Sequence, residues 1–279
     1  MRAILTAILF CACLVSSVPV SAQQSTPAPA TSDPQAVALV QRALVSLTGG
    51  VPASDVTLTG TVQRIAGSDS ETGTATLTAM STENSKLSLS LASGLRSEIR
   101  NSAGTPLSGT STTQEPQPVG AWSGPDGVLH AIAEHNLMTD ATWFFPAFTS
   151  AHISTSQLFV VSYIGQETHN GLSALHVTAW QAFPGYAQVP AVLSHLTQMD
   201  LYLDPASYVP VALDFNVHPD NNENLDIPVE IRFSGYQAVN GVRVPFHVQK
   251  YVNNGLVLDL QFGNAALNSG LTAASFQLQ

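Results

Sequence analysis

Regular alternation of apolar residues in the C-terminal part of the chain constrains the fold most strongly. In GYQAVNGVRVPFHVQKYVNNGLVLDLQF, residues 235–262, apolar side chains occupy every second position of two long runs. A period of two is typical of β-strands that bury one face and expose the other. The two Asn-Gly steps predict tight hairpin turns, because Asn and Gly tolerate the left-handed backbone that two-residue hairpins require. With the register set by those turns, we expect one apolar face to carry Val244, Phe246, Val248, Leu256, Leu258 and Leu260.

The same alternation recurs through most of the chain. VTLTGTV, residues 56–62, separates valine and leucine from threonine, and the segments 199–217 and 228–236 continue the pattern. The step Asn170-Gly171 predicts a further hairpin. Strands that follow one another at short, regular intervals indicate an antiparallel meander rather than parallel βαβ units. On the later strands, the residues expected to face inward are Val209, Val211, Leu213, Phe215, Val217, Val229, Ile231 and Phe233.

An N-terminal helix is predicted between Pro34 and Gly49. Its apolar residues recur at the three- to four-residue spacing of one helix face. Pro34 occupies the favoured first position, and Asp33 or Ser32 precedes it as the N-cap. Residues 23–34 before the helix are a Pro, Ala, Ser and Thr linker, which has too little apolar surface to pack.

Residues 123–150 interrupt the strands and are predicted to form a helical insert. The segment SGPDGVLHAIAEHNL, residues 123–137, has a capping residue near its start and places Leu129 and Ile132 on one apolar stripe. Residues 101–118 before it are rich in Ser, Thr, Gly and Pro, so a loop is expected there.

The densest aromatic cluster of the chain lies at the end of this insert, in TWFFPAF. Aromatic residues make up only 7% of the sequence, which makes their concentration here notable. One interpretation is that they pack the insert onto the sheet, as part of an ordinary core. The other is that they form the inner wall of a lid that opens for a ligand. The residues concerned are Trp143, Phe144, Phe145 and Phe148.

Residues 1–22 are predicted to be a secretory signal peptide. A basic residue precedes a short apolar run, and Val20-Ser21-Ala22 fits a cleavage site. Both cysteines, Cys11 and Cys13, fall inside this segment, so the exported protein is expected to have no disulfide. Attachment of lipid to Cys13 is the alternative. We therefore expect a periplasmic or secreted protein of the Gram-negative envelope, with one domain over residues 35–279.

The charge balance argues against two classes of partner. Nineteen acidic and nine basic side chains give the chain a formal net charge of −10. Nucleic acid and anionic membrane surfaces both require a basic patch, so neither is expected to bind. No segment after the signal peptide reaches the ~20 consecutive apolar residues of a membrane-spanning helix. We expect a monomer without a transmembrane span.

The sequence lacks the short motifs that carry common enzyme chemistry. It has no Gly-x-Ser-x-Gly nucleophile elbow and no glycine-rich phosphate loop. The pair His130 and His135, with Glu134, lacks the spacing of zinc proteases, and the acidic loop 220–226 lacks the glycine of a calcium loop. We therefore predict no cofactor, no metal site and no catalytic residue. A hydrolase or a metalloenzyme is the alternative.

Three segments of the C-terminal half form a recognisable progression: MDLYLDPASYVPVALDF, IRFSGYQAVNGVRVPFHV and LDLQFGNAALNSGLTAASFQL. Together they resemble the LolA/LolB-like superfamily of periplasmic carriers of outer-membrane lipoproteins. The specific likeness begins near residue 199, and the earlier strands agree in pattern only. Some of these carriers latch a helical lid with a basic residue. No Arg of this chain sits in a matching motif, and Arg42 on the first helix is the nearest candidate.

The resemblance implies a mainly β fold with some α-helix. A curved antiparallel sheet forms an incomplete β-barrel, whose concave face is covered by the N-terminal helix and the central helical insert. It also implies an envelope protein that binds or carries an apolar or acylated ligand, such as a lipid or the acyl chains of a lipoprotein. A lipoprotein or an envelope receptor is then the candidate protein partner.

The alternative to a carrier is a non-catalytic envelope sensor or structural interaction module that binds a protein partner. For a carrier, the residues expected to contact the ligand line the concave wall and the lid. They are Leu129, Ile132, Trp143, Phe144, Phe145, Phe148, Leu213, Phe215, Ile231, Phe233, Val244, Phe246, Val248, Leu258 and Leu260.

Overall fold

A single antiparallel sheet dominates the computed structural model, which describes residues 31–105, 117–182 and 191–278. Its strands are β1 (Asp55–Ala66), β2 (Asp69–Met80), β3 (Ser85–Leu91), β4 (Gly94–Gly104), β5 (Gln117–Ser123), β6 (Leu129–Ala131), β7 (Phe159–His169), β8 (Leu172–Gln181), β9 (Met199–Leu203), β10 (Pro210–Val217), β11 (Ile227–Val239), β12 (Val242–Val252) and β13 (Gly255–Leu267). The helices are α1 (Pro34–Thr48), α2 (Pro146–Thr155) and α3 (Ala191–Thr197), with 3₁₀ helices at Glu134–Met138 and Ala273–Phe276.

The strand order joins two meanders. β1 to β6 pair in sequence, β7 to β13 pair in sequence, and the two series meet where β1 pairs with β13. The edges of the sheet are β6 and β7, which do not pair, so the sheet is open rather than closed. The prediction of a mainly β fold built on an open antiparallel sheet is confirmed.

Two-residue turns set the register of three hairpins. Asn170-Gly171 and Asn240-Gly241 have positive φ at both positions, and they connect β7 to β8 and β11 to β12 as predicted. The third turn is Asn253-Asn254 rather than Asn254-Gly255, because β13 begins at Gly255.

The prediction that Leu256 shares the inward face of β13 is wrong. The β12–β13 register shifts by one residue between Lys250 and Tyr251, which marks a β-bulge. An extra residue in one strand reverses the faces beyond it. Val257 therefore packs against the core in place of Leu256.

A second irregularity displaces Val211. The β9–β10 register shifts between Pro210 and Ala212, so Val211 leaves the predicted inward face. It packs instead with Ala174, Tyr202 and Ala212 in a small separate cluster. The other inward residues predicted for β10 and β11 contact the main core: Val209, Leu213, Phe215, Val217, Val229, Ile231 and Phe233.

Helix α1 follows its sequence signals. The Asp33 side chain accepts a hydrogen bond of 2.8 Å from the N–H of Gln35, Pro34 is the first helical residue, and Gly49 ends the helix in the left-handed conformation. The buried side of the helix packs against α2 and against strands β7, β8 and β12. We call the face of the sheet that these helices cover the inner face.

The helix predicted over residues 123–137 is wrong. A turn with positive φ at Gly127 follows β5, and β6 then pairs with β5, so Leu129 lies on a strand and Ile132 follows it. Strand pairing supplies main-chain hydrogen bonds that override a local helical periodicity. Helical structure begins only at Glu134, as a 3₁₀ helix, and continues at α2.

The loop predicted over residues 101–118 is also shorter than expected. β4 continues to Gly104 and β5 starts at Gln117, while residues 106–116 lie outside the described residues. No helix among the residues that the structure describes is long and apolar enough to cross a membrane.

Candidate functional site

A cavity of about 400 Å³ lies beside the core, at the inner face. The end of β4 and the start of β5 form one side, and the start of β7, the end of β8 and the start of β9 form the other. This volume is within the range of small-molecule sites, roughly 300–1,000 Å³. Its apolar lining includes Val119, Leu137, Met138, Leu158, Phe159 and Met199, and its charged lining is Glu83, Arg100, Glu134, Asp140 and His152.

A cover over this cavity is formed by residues 134–145, which we call the roof segment. It consists of the 3₁₀ helix and the turn that leads into α2. The buried Asp140 carboxylate accepts hydrogen bonds of 2.8 Å from the N–H and the hydroxyl of Thr142, and another from the hydroxyl of Thr149 on α2. These bonds make the roof segment and α2 one connected unit.

Arg100 fastens the roof segment to the sheet. Its Nη1 lies 2.9 Å from the Thr139 hydroxyl oxygen and 3.2 and 3.4 Å from the carbonyl oxygens of Asn136 and Thr139. The residue is only 9% exposed. Hydrogen bonds from a charged donor in such surroundings are about twice as strong as neutral ones. A single side chain of β4 therefore holds the main chain of the cover.

Arg42, the latch candidate from sequence, has a different role. Its Nη1 lies 3.3 Å from the Tyr208 hydroxyl, and its guanidinium carbon is 5.3 Å from the centre of that ring. The contact is exposed and joins α1 to the turn before β10. It does not involve the roof segment.

Arg100 belongs to a group of charges on the inner face. Its Nε donates a hydrogen bond of 2.9 Å to Glu98, and Lys250 of β12 lies with its Nζ 4.7 Å from the centre of the Trp143 ring. Burial acts to raise the pKa of Glu98, but the charges of Arg100 and Lys250 outweigh it and hold that pKa below its usual value. Burial lowers the pKa of the Lys250 ammonium, which Glu98 partly offsets.

An ion pair closes the other end of the cavity. His152 Nδ1 in the last turn of α2 lies 2.8 Å from Glu83 Oε1, in the turn between β2 and β3. Burial acts to lower the pKa of His152, but Glu83 and, more weakly, Asp140 outweigh it and raise the pKa above its usual value.

Close contact between the roof segment and β5 depends on a glycine. A Cβ on Gly120 would lie 2.7 Å from Leu137 Cδ2 and 2.8 Å from Ile132 Cδ1. Contacts this short are not tolerated between carbon atoms, so a side chain at this position would push aside the ends of the Leu137 and Ile132 side chains.

The four aromatic residues of the predicted lid are buried together. Phe145 and Phe148 meet edge to face at 4.7 Å, and Trp143 and Phe144 do so at 5.5 Å. All four belong to the main core together with residues of α1 and the sheet. In this structure, the protein's own helices fill the apolar inner face.

The remaining predicted ligand contacts fall into two groups. The strand residues belong to the same core and are buried, except for the partly buried Phe246, while Leu129 and Ile132 are partly exposed. None of the fifteen predicted residues lines the described cavity. Contact between these residues and a ligand stays a prediction, and it requires the helices to move. The predicted wall comprises Leu213, Phe215, Ile231, Phe233, Val244, Phe246, Val248, Leu258 and Leu260.

Sequence reasoning missed Arg100 and its partners. The sequence contains one indication of this group. Glu98 and Arg100 are two positions apart on a strand and therefore lie on one face, and the pairing of β4 with β3 places that face beside the apolar Leu87. Charged residues on an apolar face are rarely buried unless they are paired. Their contact with Asn136 and Thr139 could not be anticipated, because those residues are distant in sequence.

Comparison with known proteins supports the fold. No protein-family model and no curated protein sequence matches the chain. A domain from Vibrio parahaemolyticus, whose proposed role is outer membrane lipoprotein sorting, matches with a TM-score of 0.51 at 13% identity, over 86% of this chain and 95% of that one. A DUF1329 family protein from Desulfovibrio piger matches with a TM-score of 0.51 at 10% identity, over 87% and 96%.

A LolA superfamily protein from Nitrosomonas europaea also matches, with a TM-score of 0.48 at 9% identity, over 87% of this chain and 97% of that one. At such low identities, structural likeness shows the fold alone. The chain shares its fold with the lipoprotein-sorting domain and with the DUF1329 family protein, and this agrees with the fold that the sequence resemblance implies.

Proposed function

We propose that this protein binds or carries an apolar or acylated ligand, such as a lipid or the acyl chains of a lipoprotein, beneath the roof segment. One observation carries the proposal: the side chain of Arg100 anchors the cover of a partly apolar cavity to the sheet. We further propose that it acts in the periplasm as a monomer, after removal of the signal peptide.

The magnitudes allow a ligand to compete with this fastening. A hydrogen bond from a charged group contributes about 1.5–3 kcal/mol, so losing two costs about 3–6 kcal/mol. Each methylene removed from water contributes about 0.8 kcal/mol, so an acyl chain that buries about six methylenes offsets that loss. The further methylenes of a longer acyl chain offset part of the apolar burial that Trp143, Phe144 and Phe145 lose when the cover moves.

The inner face offers the surface that such a ligand needs. Once the roof segment and α2 move, the aromatic side chains and the apolar strand residues become accessible, next to the existing cavity. Apolar contacts are not directional, which suits a carrier that accepts and releases its cargo. The shared fold with a domain whose proposed role is lipoprotein sorting agrees with this use.

Two measurements test the proposal together. Native mass spectrometry of protein purified from its own cell envelope should show a co-purified lipid. After delipidation, a fluorescent acyl probe should bind saturably. Arg100→Gln should bind the probe more tightly than wild type, since the open state is more populated, whereas Arg42→Gln, on the exposed side of α1, should not differ.

Lipid-free protein that takes up no probe, either as wild type or as Arg100→Gln, contradicts the proposal. Capture of one specific protein partner, equally by wild type and by Trp143→Ala, together with that negative result would favour the sensor or interaction module instead.

A further inference from the structure

A group of metal-type side chains lies outside the cavity described above. His195 is on α3, His218 directly follows β10, and Asp226 directly precedes β11. One possible ligand atom from each lies within 4.8 Å of the others. His195 Nε2 is 2.8 Å from Asp226 Oδ1, and His218 Nδ1 is 3.5 Å from the same oxygen.

These separations fit a shared cation. Zinc binds histidine nitrogen at about 2.0–2.1 Å and carboxylate oxygen at about 2.0–2.2 Å. Two such ligands on one tetrahedral ion therefore lie about 3.3 Å apart. The two measured separations, 2.8 and 3.5 Å, bracket that value, so small side-chain shifts suffice.

The two ring nitrogens of His218 have different surroundings. Its side chain is 0% exposed, and its Nε2 has no hydrogen-bond partner within the described parts of the chain. Its Nδ1 lies 3.2 Å from the carbonyl oxygen of Leu225 and 3.5 Å from Asp226 Oδ1, so a cation bound through this nitrogen replaces the contact with Leu225. A buried ring nitrogen without a partner costs about 1–3 kcal/mol, which a structure retains where the group has another use.

The position of His218 is fixed by its main chain. Its N–H donates to Asn136 Oδ1 at 2.8 Å, and its carbonyl oxygen accepts from Asn136 Nδ2 at 2.7 Å. The neighbouring His135 has its ring centre 6.0 Å from that of His218, and its Nε2 is likewise buried without a partner among the described residues. A third imidazole thus lies near His218.

We propose that His195, His218 and Asp226 bind one divalent cation of the zinc class. Imidazole with a carboxylate suits zinc and neighbouring transition metals, whereas calcium and magnesium require oxygen ligands. This site adjoins the roof segment through Asn136, but metal binding is measured without lipid, so either proposal can fail without the other.

A second group, His169, Asp214 and Glu230, is less suited to a cation. Arg232 donates to both carboxylate oxygens of Glu230, at 2.9 and 2.8 Å. A metal ion there would lie beside a guanidinium charge and would compete with a bidentate pair. This second group provides a matched control.

Zinc binding to the purified, chelator-treated protein without a polyhistidine tag tests the proposal. Titration against a chromogenic zinc chelator should give one high-affinity Zn²⁺ per chain. His195→Ala and Asp226→Ala, both at partly exposed positions, should each weaken binding about tenfold or more, with unchanged circular dichroism. His169→Gln should stay within about twofold of wild type.

Two results overturn the proposal. One is the absence of saturable Zn²⁺ binding by the wild-type protein. The other is binding that survives His195→Ala and Asp226→Ala unchanged, or that is lost in His169→Gln instead.

Discussion

Nη1 of Arg100 lies 2.9 Å from the hydroxyl oxygen of Thr139, which joins a buried strand residue to the cover of the cavity. The same guanidinium is paired with Glu98 through Nε. The fastening thus combines a charge pair on the sheet with hydrogen bonds to the roof segment. A cover held in this way can detach without unfolding the sheet, because the sheet keeps its own hydrogen bonds.

Arg100→Gln should loosen the roof segment selectively. The change removes the hydrogen bonds to Asn136 and Thr139 and leaves Glu98 without its partner, so we expect a loss of about 3 kcal/mol in the free energy of unfolding. Hydrogen–deuterium exchange should accelerate in residues 134–145 and remain unchanged in α1. Arg42→Gln is the control, and equal exchange in the two variants would show that Arg100 does not hold the cover.

Gly120→Ala should crowd the side chains that pack on β5. The added methyl group would collide with Ile132 and Leu137, and overpacking of this kind costs about 1–3 kcal/mol. Gly263→Ala on β13 is the matched control, since a Cβ there meets nothing within 4 Å. Urea denaturation measures the free energy of unfolding of both variants. We expect a clear decrease relative to wild type only for Gly120→Ala.

The contact between His152 and Glu83 should make the attachment of α2 to the turn between β2 and β3 depend on pH. The folded pKa of His152 is raised above the 6.5 of the free side chain. Its contribution to stability is therefore full below about pH 6.5 and is lost as the pH rises through the folded pKa. NMR titration should show a lower His152 pKa in Glu83→Gln than in wild type. An identical pKa in both proteins would mean that the ion pair does not form in solution.

Asp55→Asn should destabilise the protein at neutral pH. The buried carboxylate accepts hydrogen bonds of 2.7 and 2.6 Å from Ser269 and of 3.0 Å from Gly270, which tie the segment after β13 to the start of β1. Burial acts to raise the pKa of Asp55, but the bonds from Ser269 and Gly270 outweigh it and lower that pKa. Losing this network should cost about 1–3 kcal/mol.

The pH dependence of this loss has a defined sign. Because the folded pKa of Asp55 lies below its ordinary value of 3.8, the stabilisation is present above that pH and is lost as the pH falls through the folded pKa. Urea denaturation of wild type and Asp55→Asn should therefore converge in acid. Asp220→Asn, at an exposed loop position, should match wild type throughout.

Local patterns predict the regular parts of this fold well. The cap and the stop of α1, two of the three Asn turns and the inward faces of β1, β11 and β12 follow from spacing and backbone preference. The wrong predictions concern segments whose structure is determined by pairing with distant strands rather than by local sequence. β6 forms in place of a helix because β5 offers main-chain hydrogen-bond partners. The bulge beside Lys250 turns Val257, rather than Leu256, toward the core.

The candidate sites were harder to predict, because they depend on residues far apart in sequence. Arg100 meets Thr139 only because the sheet brings β4 under the roof segment. His195, His218 and Asp226 come from three separate segments, so no motif spacing reveals them. Three residues of the predicted aromatic cluster, Trp143, Phe144 and Phe145, belong to the roof segment, although they pack the core in this structure.

Photocrosslinking tests the central claim most directly. A fatty acid with a diazirine at the end of its acyl chain is incubated with delipidated protein, irradiated, and mapped by peptide mass spectrometry. The account predicts saturable crosslinks to the cavity lining, at Leu137, Met138 or Phe159, that excess unlabelled fatty acid removes. Crosslinks confined to the outer face of the sheet, or no saturable crosslinking at all, would contradict it.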